Sequence, residues 1–202
     1  MSVEECVSRL KRYHYAFKRL SQGFIARITA EPIYELKMAF SLHGHYCAEH
    51  VAELRKRVGE MREPPLGLEA IPDKNLEVFF DEILAAPTTH ELLLGLYEKA
   101  VPALIRSLER HGESTNPLAD APSVRLCRFA LLELGDMQKY GTAAIQSLVT
   151  PEMRQNAAPW LQTLDNALAA AGDLDGAMPK SETVTARQYS TKPFKFEGFP
   201  KR

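Results

Sequence analysis

The sequence has no long apolar run. No stretch approaches the roughly 20 consecutive apolar residues that a helix needs to span a bilayer. It also has almost no excess charge, because 25 basic residues face 26 acidic ones and the formal net charge is −1. This balance gives no electrostatic reason to expect binding to nucleic acid or to an anionic membrane surface. We therefore expect no membrane and no nucleic-acid partner.

Cysteine is scarce, and the three residues present are Cys6, Cys47 and Cys127. An odd number at wide spacing makes no disulfide framework, and all three lie on apolar faces of predicted helices. We therefore expect buried, reduced thiols. The first 17 residues carry acids where a signal peptide needs a basic start and an apolar core, which leads us to expect a cytoplasmic location.

Several catalytic patterns are missing. The sequence has no Gly-rich phosphate loop, no Cys-x-x-Cys pair and no Ser/His/Asp order typical of a hydrolase. Strand patterns with alternating apolar residues are missing too. These absences give no support to an NTPase, a dithiol oxidoreductase or a serine hydrolase.

Apolar residues recur at spacings of three and four along most of the chain, which predicts an all-α protein. The first helix is expected to start at an N-cap on Ser2 and to run to about Ala30. Pro32 interrupts the pattern, and a second helix follows over about 33–61. Because the interruption is short, the two helices are predicted to form an antiparallel hairpin.

The middle and end of the chain continue this pattern. Prolines and a glycine predict a loop over 62–75, and a short crossover helix follows over 76–86. Asp120 is a good N-cap for a long helix over about 122–149. Thr150 then caps an extra C-terminal helix that ends near Gly172.

The third long helix carries two special residues. It is predicted to start at Thr88 or Thr89 and to run to about His111. Pro102 lies inside its apolar pattern and is expected to kink it. Gly112 is well placed to end it.

The last 30 residues lose all helical periodicity. The sequence therefore divides into a helical bundle, 1–172, and an extended C-terminal arm, 173–202. The arm is rich in aromatic rings for a disordered tail, which predicts that it packs against the bundle or a second subunit. A second subunit would make the protein a homodimer. The rings are Tyr189, Phe194, Phe196 and Phe199.

Two long helical hairpins joined by a crossover are the arrangement of ferritin-like proteins. The run NPLADAPSVRL at 116–126 and the run AAAGDLDG at 169–176 are similar to sequences of uncharacterised ferritin-like proteins. The chain thus resembles the ferritin-like superfamily over about 33–176. The resemblance implies a four-helix bundle with a short crossover helix, to which this chain adds a helix and an arm.

Members of this superfamily with oxygen chemistry hold two metal ions with glutamates and Glu-x-x-His pairs. This sequence has no Glu-x-x-His, and the comparable spacing on the second helix is Cys47-x-x-His50. On the fourth long helix the inward position is Leu134, while Asp136 is expected to face outward and Glu133 to lie on the flank. We therefore predict a degenerate di-metal site with an apolar interior at Leu134.

Other side chains could still form a divergent site. His43, Cys47 and His50 share one face of the second helix, and the hairpin places His14 opposite them. Glu98 borders the apolar stripe of the third long helix. One interpretation makes these residues core groups, with the histidines hydrogen-bonded to Tyr13, Tyr46 or Glu98. The other makes them ligands of zinc or iron.

Two functional hypotheses follow. The first is a non-catalytic ferritin-like bundle that acts through protein–protein contacts and needs no cofactor. The alternative is a metal-dependent oxidase or hydroxylase with a divergent His/Cys/Glu site that holds iron or zinc. The sequence does not decide between a binding protein and an enzyme, and it identifies neither substrate nor partner.

Overall fold

The structure is a computed structural model that describes residues 1–62 and 66–196. Residues 63–65 of the predicted loop and Phe199 lie outside the described residues. Within these ranges the chain is helical and forms no β-strand, so the all-α class is confirmed. No described helix is long and apolar enough to cross a membrane. The elements are α1 (Val3–Arg27), α2 (Tyr34–Glu60), α3 (Lys74–Leu84), α4 (Thr89–Leu93), a π-helical segment (Leu94–Ala100), α5 (Val101–Ser114), α6 (Ala121–Leu148) and α7 (Pro151–Ala170).

Side-chain caps define three of the helix starts. The Ser2 hydroxyl accepts a hydrogen bond from the Glu5 backbone N–H at 3.2 Å, and the Glu5 carboxylate accepts one from the Ser2 N–H at 2.7 Å. Thr88 and Thr150 each accept a hydrogen bond from the backbone N–H three residues later. These bonds satisfy N–H groups that a helix start would leave unpaired. The predicted caps at Ser2, Thr88 and Thr150 are confirmed, whereas Asp120 occupies the predicted N-cap position of α6 without a side-chain cap bond.

The first two helices form the predicted hairpin. Near its middle the Ser21 hydroxyl donates to the Gly44 carbonyl at 3.0 Å, and the rings of Phe24 and Phe40 lie 5.8 Å apart. Contacts between earlier residues of α1 and later residues of α2 show that the helices are antiparallel. Gly44 permits the close approach, since a Cβ atom there would lie 3.1 Å from a side-chain carbon of Ile25.

The third long helix differs from its prediction in two places. Near the kink predicted at Pro102, the helix contains a π-helical segment at 94–100. Pro102 itself lies in the first turn of α5, just after this segment. The prediction that Gly112 ends the helix is wrong, because α5 continues to its C-cap at Thr115. The end is set one residue further on, where the Asn116 side chain accepts two backbone N–H groups and forms a turn.

The C-terminal part folds back over the bundle. Helix α7 packs against α3 and the π-helical segment, and Trp160 on α7 is fully buried. Beyond it the chain reverses at Gly172, which has a φ of +73°. The buried Arg12 of α1 holds this reversal, because its guanidinium donates to the carbonyls of Ala171, Asp173 and Leu174 at 2.8–2.9 Å.

The arm then lies on the bundle as far as residue 196. Asn75 accepts from the Thr185 N–H at 2.8 Å and donates to the Thr183 carbonyl at 3.1 Å, which pairs it with extended backbone. The Tyr189 ring lies 5.7 Å from that of Trp160. Packing of the arm against the bundle is thus confirmed for the described residues. Its other two described rings stay largely outside, with Phe194 36% and Phe196 62% exposed.

Candidate functional site

The bundle interior at the level of Leu134 is apolar, as predicted. Leu134 is fully buried, and Met137, one turn further along α6, is 1% exposed. Asp136 points to solvent and pairs with Lys139 at 3.1 Å. At this level α6 therefore presents aliphatic side chains where a di-metal protein presents carboxylates.

The centre of the bundle is occupied by His43 and Tyr97. A 2.7 Å hydrogen bond joins His43 Nδ1 to the Tyr97 hydroxyl, and both side chains are buried. Burial lowers the pKa of His43 to about 4, so its imidazole is neutral near pH 7. Burial also raises the pKa of Tyr97 well above its ordinary value, which keeps the phenol protonated.

The hydrogen-bond partner of His43 is none of the three expected residues. Tyr13 donates instead to the Ser107 carbonyl at 3.0 Å, while Tyr46 is a ring neighbour of His43 at 6.5 Å. The π-helical segment contributes Tyr97, and a π turn changes the direction of side chains relative to a regular α-helix. No spacing along the sequence indicates that Tyr97 would meet His43.

Close packing fixes the position of Tyr97. Gly141 of α6 lies directly against its ring, and a Cβ atom at that position would be 2.1 Å from Tyr97 Cγ. The Tyr140 ring closes the outer side, 5.4 Å from His43. The imidazole–phenol pair is therefore enclosed by aromatic side chains.

Two of the other candidate residues bind partners near the surface. His50 Nε2 lies 2.7 Å from a carboxylate oxygen of Glu133 on α6. Burial lowers the pKa of His50, while Glu133 acts in the opposite direction. Glu98 contacts Arg154 of α7 through both carboxylate oxygens, at 2.7 and 2.8 Å. That ion pair holds the Glu98 carboxylate at the rim of the bundle.

His14 and Cys47 are fully buried. Neither ring nitrogen of His14 has a hydrogen-bond partner in the described part of the chain, and burial lowers the pKa of its imidazole. Burial raises the pKa of the Cys47 thiol, which keeps it protonated and unreactive. The Cys6, Cys47 and Cys127 thiols are all free and buried, as expected.

The structure does not bring the candidate ligands together. Within residues 1–62 and 66–196, no three ligand atoms of His14, His43, Cys47, His50 and Glu98 lie within 4.8 Å of one another. A different group does meet this criterion, at one end of the bundle: Cys6, His111 and Asp120. No local sequence pattern indicates that group, because its members come from distant segments.

A surface groove runs between α2 and α6, beside His50 and Glu133. It has a volume of about 660 Å³ and is lined by side chains of both charge signs around an apolar floor. Phe129 of α6 is 51% exposed in this groove, and the Arg125 guanidinium lies 4.7 Å from its ring centre. Leu42 on the outer side of α2 is 47% exposed. A helical wheel of α6 places position 129 off the buried stripe, and this signal predicts an exposed Phe129.

Comparison with known proteins gives no assignment, since no family model, no curated protein and no solved structure matches the chain.

Proposed function

We propose that this chain is a ferritin-like helical bundle that has lost its di-metal site and acts through protein–protein contacts, with the α2–α6 groove as the contact surface. The partly exposed Phe129 ring in a groove of about 660 Å³ carries the proposal. Aromatic residues are enriched at the centres of protein interfaces because they bury a large area at low entropic cost.

The bundle centre supports the non-catalytic part of the proposal. The space between α2 and α6 that would have to admit metal ligands is filled by His43, Tyr97 and Tyr140. The Tyr97 ring leaves no room for a side chain at position 141 of α6, where the residue is glycine. A carboxylate-rich dinuclear site needs several acidic residues on inward stripes at one level, and here Glu98 and Glu133 are each engaged by a cation or an imidazole.

The charges of the groove favour a second copy of the chain as its occupant. Glu49 and Glu53 line one end of the groove, beside Glu133. Lys56, Arg57 and Arg125 line the other end together with Glu60, so basic groups outnumber acidic ones among the lining residues there. In a two-fold dimer the same patch meets itself in the reverse direction, so each acidic end would face a basic end. Phe129 would then lie near the dimer axis, where both copies could cover it.

Light scattering over a range of protein concentrations tests this contact. We expect the chain to be a dimer and Phe129→Glu to make it a monomer, because two carboxylates would be buried in the interface. Ile71→Glu is the matched control, since Ile71 is 50% exposed on a loop away from the groove. The control should remain a dimer, and both variants should keep the parent melting temperature in the monomeric range of concentrations.

Two results would reject the second copy as occupant. One is a monomeric parent chain at every concentration, and the other is a Phe129→Glu variant that dimerises as well as the parent. In either case the groove is not a self-association surface.

One observation favours the alternative, a metal-dependent oxidase or hydroxylase with iron or zinc. The π-helical segment that delivers Tyr97 to the centre is an element often found at functional sites. Metal analysis of protein purified without an affinity-tag metal tests it. One or two tightly held ions, lost in His43→Gln but kept in His45→Gln on the exposed face of α2, would favour the enzyme.

A further inference from the structure

A polar cluster lies at one end of the bundle, away from the groove centre and from His43. It joins Cys6 in the first turns of α1, His111 in the last turn of α5 and Asp120 at the start of α6. The Cys6 thiol donates to Asp120 Oδ2 at 3.2 Å, and His111 Nε2 lies 3.6 Å from the same oxygen. Three potential ligand atoms, S, N and O, thus lie within 4.8 Å of one another.

His111 is the independent sign that the cluster is incomplete. Its side chain is fully buried, and neither ring nitrogen has a hydrogen-bond partner among residues 1–62 and 66–196. A buried imidazole without partners is costly, because both nitrogens have lost water. Its Nε2 atom lies 3.6 Å from Asp120 Oδ2, which is too far for a good hydrogen bond but close enough for both atoms to bind one ion.

The separations suit a tetrahedral metal ion. With bonds of 2.0–2.3 Å to nitrogen, oxygen and sulfur, tetrahedral ligand atoms lie about 3.3–3.8 Å apart. The Cys6–Asp120 and His111–Asp120 separations, 3.2 and 3.6 Å, fall at or close to this range. Imidazole, thiolate and carboxylate are also the three ligand types that zinc accepts.

Arg57 completes the arrangement from the outer side. Its guanidinium donates to Asp120 Oδ1 at 2.9 Å and to the Ser123 hydroxyl at 2.8 Å. This contact orients the carboxylate, as outer hydrogen bonds orient metal ligands elsewhere. Its Oδ2 atom faces Cys6 and His111 and also accepts a hydrogen bond from the Thr115 hydroxyl at 3.1 Å. Asp120 is the N-cap of α6, yet its side chain caps no α6 backbone group and serves this cluster instead.

We infer that Cys6, His111 and Asp120 form a site for one divalent ion of the zinc class, which joins the start of α1, the end of α5 and the start of α6. A three-ligand site leaves the fourth tetrahedral position to water.

The charges of this site balance. Without an ion, burial and the neighbouring Asp120 raise the pKa of the Cys6 thiol to about 12, so the thiol is protonated. On binding, the Cys6 S–H bond breaks, its proton goes to solvent and a metal–sulfur bond forms. The thiolate and the Asp120 carboxylate then neutralise a divalent cation. The positive charge of Arg57 is offset by Glu60, 3.3 Å away.

Cobalt(II) and zinc(II) are the probes. The parent chain, stripped with chelator, should bind one equivalent of cobalt and develop a thiolate-to-cobalt charge-transfer band, which zinc then removes by displacement. At a zinc concentration about 100-fold above its dissociation constant, the melting temperature should rise by about 5–10 °C.

The three buried cysteines supply matched variants. We expect Cys6→Ala to abolish the charge-transfer band, and Cys47→Ala to keep it, because Cys47 is equally buried but belongs to no ligand cluster. A band that survives in Cys6→Ala, or one that disappears in Cys47→Ala, would overturn the assignment.

A measurement on the parent chain covers the case in which Cys6→Ala does not fold. Under mild denaturation, zinc should slow alkylation of Cys6 at least tenfold more than that of Cys47 or Cys127, as read by peptide mass spectrometry. If cobalt gives no band in the parent chain, or if zinc protects the three thiols equally, the cluster is only a hydrogen-bonded contact and the site does not exist.

Discussion

Glu82 beneath the arm and His43 at the bundle centre are both buried polar residues, but different forces hold them. Glu82 is fully buried on α3. Its carboxylate accepts hydrogen bonds from the backbone N–H groups of residues 188–190, from the Ser190 hydroxyl and from the Trp160 indole, at 2.6–3.2 Å. His43 has one hydrogen bond, to Tyr97, and is otherwise enclosed by rings.

The difference shows in the two pKa values. Burial raises the pKa of Glu82, but the hydrogen bonds from Ser190 and the arm backbone outweigh it and leave the pKa below its ordinary value. Burial alone lowers the pKa of His43 to about 4. Glu82 therefore stays ionised because hydrogen-bond donors surround its carboxylate, whereas His43 stays neutral because closely packed rings surround its imidazole. The arm is held chiefly by polar bonds, and the bundle centre by shape.

The largest expected effect is at Glu82. Glu82→Gln removes the charge and turns an amide N–H₂ group toward N–H donors, so at least one donor loses its partner. We expect the free energy of unfolding to fall by about 2–4 kcal/mol. Urea denaturation measures it.

Glu77→Gln is the matched control on the same helix. Glu77 is partly exposed and lies 3.7 Å from Arg187, so its loss should cost less than about 1 kcal/mol. If the two variants lose the same free energy of unfolding, the hydrogen bonds between the Glu82 carboxylate and the arm contribute no more stability than a surface ion pair.

Packing at the bundle centre gives the next effect. Gly141→Ala would place a Cβ atom 2.1 Å from Tyr97 Cγ, so the ring must move and strain its bond to His43. We expect a loss of about 1–3 kcal/mol in the free energy of unfolding.

Gly135→Ala on the same helix should do the opposite. A Cβ atom there meets no atom within 4 Å, and an alanine in an α-helix is about 0.5–1 kcal/mol more favourable than a glycine. If Gly141→Ala stabilised the chain as Gly135→Ala does, in thermal or urea melts, Tyr97 would not be closely packed against Gly141.

The titration of His43 gives an effect that depends on pH. His43 has a pKa of about 4 when folded and about 6.5 when unfolded, so the unfolded chain binds the extra proton between these values. Its contribution is complete above about pH 6.5 and is lost as the pH falls toward 4, at about 1.4 kcal/mol per unit. His43→Gln should remove that part of the slope in urea melts.

The same experiment separates the two regions. The lowered pKa of Glu82 implies that its contribution declines only below its ordinary value of 4.5. In His43→Gln the pH dependence between about 4 and 6.5 should therefore shrink, and that below about 4 should stay. An unchanged slope above pH 4.5 would show that His43 is solvated and not enclosed.

Much of the fold was readable from local patterns. The caps at Ser2, Thr88 and Thr150 were predicted correctly because a hydroxyl at a helix start acts on a backbone group three residues away. The buried position of Leu134 followed from helical periodicity. Gly112 was misjudged as a helix end, since a glycine only permits the end that Asn116 imposes.

The candidate site was harder to predict. His43 was correctly placed on an inward face, but its partner Tyr97 depends on a π turn that no spacing rule indicates. Glu98 bordered an apolar stripe, yet Arg154, 56 residues further on, determines where its carboxylate lies. Such pairings depend on how helices pack, which single-helix periodicity does not contain.

The helices, their caps and the apolar interior follow from interactions within a few residues, and the lack of a carboxylate-rich di-metal motif can be read from local spacing. The contact of Glu82 with the arm and the meeting of Cys6, His111 and Asp120 depend instead on how the helices pack. The donors to Glu82 stand as many as 108 residues away along the chain, and Cys6 and Asp120 are separated by 114. Polar groups so far apart meet only after the apolar faces have packed, because burial of those faces fixes the helices that carry them.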